Sequence, residues 1–277
     1  STGSMGEYLL NMGANIGNRF FAAYSLNFRN IFYRTYEKFT ETSQNPEHFE
    51  TGFSSFSHSY DQVTTGIGFN MKFGIIAIPF KNMRLGASVT SPTWTSLTDD
   101  WQEYMTAEFL AGNQSSSSPV GVFSYKVRTP WRFNAGLSYT FGTFGLISLD
   151  YEGVDYTSMK LATRNDRWAF EDENELIRYG SESTRFLFAN NFRAGLEIRI
   201  AQMAIRGGYS YYGSPERSFQ PTHIASGGLG FRANQFFADM GVSYRLGETE
   251  GFSLYDTGDD QIHGQNTLSR LRVLFTV

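Results

Sequence analysis

A chain of 277 residues with 28 glycines, 26 phenylalanines, 16 tyrosines and no cysteine is long enough for one large β architecture, held without disulfides. A formal charge of −4 gives no case for nucleic acid as a partner, and no run of about 18 apolar residues is present to form a transmembrane helix. The slightly polar mean hydropathy does not exclude a membrane protein, because a strand with one face in lipid and one in a wet lumen averages to neutral.

Successive side chains of a strand point to opposite faces, so alternation with period two marks strands. It predicts eleven, over 7–17, 19–42, 60–79, 83–96, 121–141, 144–162, 186–201, 203–213, 224–233, 236–254 and 263–277. In the fifth, Trp131, Phe133, Ala135, Leu137, Tyr139 and Phe141 oppose Arg132, Asn134, Gly136, Ser138 and Thr140. Later, Phe192, Ala194, Leu196, Ile198 and Ile200 oppose Arg193, Gly195, Glu197 and Arg199, and Ala238, Met240, Val242, Tyr244 and Leu246 oppose Asp239, Gly241, Ser243 and Arg245.

The predicted connections alternate between tight and long. Turns near Gly17-Asn18, Phe80-Asn82, Gly142-Thr143, Ala201-Gln202 and Ala233-Asn234 are short; loops at 43–59, 97–120, 163–185, 214–223 and 255–262 are longer. Strands of about 9 to 11 residues or more suit a tilted membrane crossing. Aromatics at strand ends, such as Phe20 and Phe21 or Tyr209, Tyr211 and Tyr212, suit an interfacial girdle. Together these features predict an all-β fold, a transmembrane antiparallel up-and-down β-barrel forming a single domain over 1–277. Trp131, Phe133, Leu137 and Tyr139 are expected to face lipid, and Arg132, Asn134 and Ser138 the lumen.

Eleven strands do not close a bacterial single-chain barrel, which takes an even number. An incomplete set leaves unpaired backbone groups at two edges in lipid. The count predicts either that the first strands lie ahead of residue 1 or that one boundary is misread.

Three stretches resemble the FadL-type family of outer-membrane transporters of long-chain fatty acids and other hydrophobic compounds. They are Met83-Arg84-Leu85-Gly86-Ala87-Ser88-Val89-Thr90-Ser91-Pro92-Thr93, Thr129-Pro130-Trp131-Arg132-Phe133-Asn134-Ala135-Gly136-Leu137-Ser138-Tyr139, and Phe192–Glu197 followed by Ile205–Tyr211 and Ser214-Pro215. The resemblance implies a fourteen-stranded barrel with an N-terminal hatch in its lumen, of which this chain would hold the last eleven strands. The family's Asn-Pro-Ala hatch motif and its kinked third strand have no counterpart here. The closing strand alternates Leu271, Val273, Phe275 and Val277 against Arg270, Arg272 and Thr276, a variant of the signal read by the outer-membrane assembly machinery.

Several residue groups invite a chemical role. The predicted lumen face carries Arg128, Arg132, Arg193, Arg199, Arg206, Arg232, Arg245, Arg270 and Arg272 with Asp150, Glu152, Glu197 and Asp239. One of these arginines holding a carboxylate head group is the functional reading; a ladder of cross-strand ion pairs is the plainer and favoured one. His48, His58, His223 and His263 lie in or beside outer loops, outside any Gly-x-Ser-x-Gly or His-Glu-x-x-His run, so no enzyme is expected. The acidic stretches Asp99-Asp100, Glu171-Asp172-Glu173 and Asp259-Asp260 lack calcium-loop spacing and read as solvated charge. No metal or cofactor is expected.

The loop at 97–120 is the candidate ligand site. Leu97, Trp101, Tyr104, Met105 and Phe109 recur at helical spacing against Asp99, Gln102, Glu103 and Thr106, which predicts an amphipathic helix followed by a flexible Ser115–Ser118 connector. Trp101, Tyr104, Met105 and Phe109 are the expected ligand-binding residues, either capturing substrate at the barrel mouth or packing the helix on its rim. The resemblance implies a capture groove between the loops at 43–59 and 97–120. The leading expectation is a passive channel for hydrophobic small molecules, most plausibly long-chain fatty acids, in the outer membrane of a Gram-negative bacterium. Its partners would be membrane lipids or detergent, the substrate and the assembly machinery. A structural or adhesive barrel and an outer-membrane lipase are the alternatives.

Overall fold

The computed structural model of the protein describes residues 1–163, 169–180, 185–233, 236–255 and 262–276. β1 (Thr2–Ile16) and β2 (Phe20–Thr42) form a hairpin whose turn places Gly17 and Asn18 at φ 61° and 55°. Two consecutive left-handed residues give the type I′ geometry that matches strand twist, and Gly and Asn tolerate it best. The Asn18 backbone N–H also donates to Asn15 Oδ1 at 2.9 Å. β3 (Phe53–Ala77) pairs with β2 along nearly its whole length, from Phe20↔Ala77 to Thr42↔Ser55.

Beyond β3 the wall divides into two tiers. β4 (Met83–Thr90) pairs with Lys72–Ala77, and β5 (Trp94–Phe109) continues on the same side of β3 along Phe53–Phe69. β6 (Gly112–Ser117) folds back on β5. β7 (Gly121–Arg128) pairs with β5 in the upper tier, and β8 (Trp131–Thr140) pairs with β4 in the lower. β9 (Gly145–Asp155) follows β8, and β10 (Lys160–Thr163) follows β7.

Each break has a local cause. Ser91-Pro92-Thr93 separates β4 from β5 and Thr129-Pro130 separates β7 from β8; proline lacks the N–H a ladder needs. A short 3₁₀ turn, Tyr156–Ser158, separates β9 from β10. Side chains replace the lost ladder bonds. Buried Asn27 donates through Nδ2 to Asn70 Oδ1 at 2.8 Å, and Asn70 Nδ2 donates to Thr93 Oγ1 at 3.0 Å. The Thr93 and Met71 backbone N–H groups donate to Thr129 Oγ1 at 2.8 Å and Ser91 Oγ at 2.9 Å.

The lower tier continues as a meander of β11 (Phe188–Ile200), β12 (Met203–Tyr212), β13 (Thr222–Ala233), β14 (Phe236–Tyr255) and β15 (Ile262–Thr276), each antiparallel to the last. Among the described residues, β1 pairs only with β2 and β15 only with β14, so the first and last strands each leave an edge free. α1 (Glu171–Arg178) lies at the edge of β10. There the Asn174 side chain donates to Leu161 O and accepts from Leu161 N–H, both at 2.8 Å, in place of a neighbouring strand.

Among the described residues, fifteen strands therefore stand where eleven were expected. Three expected crossings are each cut in two, and β6 arises within the expected loop at 97–120. That loop holds no helix: its first part is the upper half of β5. The expected loop at 43–59 is shorter, because β3 begins at Phe53. Part of the turn at Ala233-Asn234, most of the loop at 255–262, Asp259-Asp260 and Val277 lie outside the described residues.

The two faces of the wall are inverted relative to a soluble protein. Among the described residues only Val154 and Ala189 are buried hydrophobics, while Phe192, Leu196, Ile198, Ile205 and Leu229 are each about half exposed. The concave face is the polar one. No helix among the described residues is long and apolar enough to cross a membrane; an apolar convex face and a polar concave face are what a membrane barrel requires. On β2 the convex set Phe20, Ala22, Tyr24, Leu26 and Phe28 covers nine residues, the length of one tilted crossing. Trp131, Phe133 and Tyr139 share the convex face through their partners on β9, and Arg132, Asn134 and Ser138 the concave one, as the alternation predicts. Arg128 is a correction. It pairs with Trp94 on the convex side of the upper tier and donates to the Ser158 carbonyl at 2.7 Å.

Candidate functional site

In the lower tier the concave face is an ion-pair ladder. Arg132 and Arg193 converge on Glu152, Arg193 also reaches Asp150 at 3.2 Å, and Arg206 bridges Glu197 and Asp239 at 2.6 and 2.5 Å. Glycines and serines between them leave a hollow of about 650 Å³. These arginines are committed to carboxylates, which favours the structural reading of the ladder over head-group binding.

The upper tier differs. Its concave face carries Leu97 and Trp101 from β5 and Phe123, Tyr125 and Val127 from β7, brought side by side by the register Leu97↔Tyr125, Asp99↔Phe123 and Trp101↔Gly121. Two glycines make room for the larger groups. A Cβ at Gly66 would stand 2.4 Å from the Leu97 side chain, and one at Gly121 would stand 2.3 Å from the Trp101 indole. Phe170, at the start of α1, completes a trio with Phe123 and Tyr125, with ring centroids 5.8, 6.0 and 6.1 Å apart. Further out, Phe109 meets Phe53 at 6.1 Å, and Phe53 meets Phe49 at 5.9 Å.

Charge enters this apolar wall at two points. His58 Nε2 and Glu103 Oε2 are 3.1 Å apart. Asp99 lies between Thr64 on β3 and Phe123 on β7, and its Oδ1 is buried with no hydrogen-bond partner. Burial first, then the charge of Asp99 and a hydrogen bond to it, push the Tyr125 hydroxyl above its ordinary pKa. Burial and the charges of Asp99, Glu103 and Glu37 do the same to Tyr60.

The expected ligand residues are not all brought together. Trp101, Met105 and Phe109 alternate along β5 and share the concave face. Tyr104 points the other way, where its hydroxyl donates to Gln102 Oε1 at 2.7 Å. The reason is the period: residues three and four apart share a face on a helix, but only even separations do on a strand. Phe123, Tyr125 and Phe170 went unread as site residues. The first two were legible, because Gly121, Phe123, Tyr125 and Val127 alternate; Phe170 belongs to no periodic run.

Two of the histidines have side-chain partners. His58 faces Glu103, and His223 Nδ1 lies 2.6 Å from the Tyr209 hydroxyl on the convex face. Glu171, Asp172 and Glu173 form the first turn of α1, where carboxylates complement the helix dipole. Among the described residues no group of three His, Asp or Glu is placed to hold a metal.

No protein-family model matches the chain, and no curated protein matches it in sequence. Solved structures do match its fold. The Pseudomonas putida toluene transporter TodX aligns with 97% of this chain and 67% of its own at a TM-score of 0.55 and 10% identity. A Pseudomonas aeruginosa FadL homologue gives 98%, 66%, 0.58 and 11%, and the Ralstonia pickettii toluene transporter TbuX 97%, 67%, 0.51 and 15%. The chain thus spans about two thirds of the length of these structures. Across nearly all of its own length it has the fold of the FadL-type transporters, the wall of an antiparallel up-and-down β-barrel.

Proposed function

We propose that the protein is a passive channel that takes hydrophobic small molecules across the outer membrane of a Gram-negative bacterium. The observation that carries this is the apolar concave wall of Leu97, Trp101, Phe123, Tyr125 and Phe170, set above a charged lumen. An ion-paired lumen gives a fatty chain or hydrocarbon less to hold than an aromatic wall does. An apolar surface at the mouth does, at roughly 0.8 kcal/mol per methylene removed from water. Trp101, Met105 and Phe109 extend that surface outward, while Tyr104 stands on the opposite face. The named functions of TodX and TbuX make monoaromatic hydrocarbons as reasonable a cargo as long-chain fatty acids.

In this reading the convex face contacts membrane lipid. Leu271, Val273 and Phe275 of β15 serve recognition by the assembly machinery. The protein performs transport and no chemistry.

The test is uptake by Gram-negative cells lacking their own hydrocarbon and fatty-acid channels and expressing the full-length protein. Radiolabelled toluene or oleate should enter faster than in cells with an empty vector. Equal rates for both compounds, with the protein folded in the outer membrane, would favour a structural or adhesive barrel.

A further inference from the structure

Asp99 is out of place in a surface built only for hydrocarbons. Its concave-face neighbours are Thr64 on β3, Leu97 and Trp101 on β5, and Phe123 and Tyr125 on β7. None is a cation. Lys126 projects from the convex face, beside Ser96 and Ala162, and His58 is engaged by Glu103. The carboxylate is hydrogen-bonded to the Tyr125 hydroxyl, yet its Oδ1 is buried without a donor beside the three aromatic side chains Trp101, Phe123 and Tyr125.

A buried acceptor left unsatisfied is costly, and any ligand group that donates to it recovers that cost. Aromatic faces beside a carboxylate favour a cation further, because the ring quadrupole attracts positive charge. A carboxylate ligand meets the opposite situation, adding like charge in a poorly solvated place.

We infer that Asp99 makes this wall selective for apolar compounds bearing a hydrogen-bond donor, protonated amines above all, and against carboxylates. This rests on the wall being the landing surface proposed above and adds the polarity of the head group it accepts. Tyr125 and Tyr60, pushed up first by burial and then by the charge of Asp99, lie on the same concave side as that carboxylate. If fatty acids also enter, their head groups pass this level pointing away from Asp99.

Three ligands of equal ring size separate the possibilities: 2-phenylethylamine, ethylbenzene and phenylacetate. Their dissociation constants are measured at pH 7 by calorimetry on the full-length protein in detergent micelles. The amine should bind about tenfold or more tighter than ethylbenzene, the gain of a charge-assisted hydrogen bond, and phenylacetate should bind weakest. Asp99→Asn should bring amine and carboxylate within about threefold of each other, the worth of a small residual difference. Asp100→Asn, which removes a neighbouring charge from the convex face, should preserve the wild-type order. Equal binding of amine and carboxylate to the unmodified protein, or an order that survives Asp99→Asn, overturns the inference and leaves the landing surface standing. No measurable ethylbenzene binding overturns the surface itself.

Discussion

Leu196→Arg is expected to destabilise the protein by about 2–4 kcal/mol, the cost of a cation on the lipid face near mid-membrane. Leu196 projects from the convex side of β11 between Ile147 and Gly207, and its neighbours Ala194 and Ile198 are apolar. Ser148→Arg gives the control. Ser148 shares the concave face with Asp150 and pairs with Gly195, so a new guanidinium there enters a wet, charged lumen and should cost less than about 1 kcal/mol. Urea unfolding in lipid vesicles reads both values. Equal costs for the two variants would remove the distinction between the faces.

The second large effect concerns the upper wall. Trp101→Ser with Phe123→Ser removes two rings from one concave surface, each worth roughly 1.5–3 kcal/mol when fully covered. Affinity for toluene or ethylbenzene should fall by about tenfold or more, even where the rings are only partly covered by ligand. Thermal stability in detergent should hold, because the lower tier keeps its ladder. Tyr104→Ser is the discriminating companion: its side chain is on the other face, so ligand affinity should be unchanged. A loss in Tyr104→Ser equal to that of the double variant would restore the helical reading of this segment.

What the sequence made legible follows from what repeats. Along β8 and β11 the period of two is unbroken, and the faces assigned from it are the faces observed. Pro92 and Pro130 sit at the two main breaks in the wall, although the expected strands 83–96 and 121–141 ran through both. Their consequence, a change of strand neighbours between tiers, depends on pairings over sequence distances that no local pattern encodes. The helical reading of 97–109 arose because Leu97, Trp101, Met105 and Phe109 are spaced by four, an interval compatible with a helix face and a strand face alike. Tyr104 is the one residue whose face separates the two, and β5 extends past the membrane as a strand because β3 and β7 both pair with it. Phe170 was invisible because a tertiary contact alone brings it to Phe123.

The central claim is that the apolar convex face meets lipid and the polar concave face lines a water-filled path. The absence of native cysteine allows a single nitroxide label at each of two adjacent β13 positions, Ala225→Cys and Ser226→Cys. Ala225 lies with Tyr209 and Tyr244 on the convex face, and Ser226 with Gly208 and Ser243 on the concave one. In liposomes, electron paramagnetic resonance should show the label at 225 relaxed mainly by oxygen, which concentrates in lipid, and the label at 226 mainly by a water-soluble nickel chelate. The reverse order, or the same accessibility at both positions, would contradict the account.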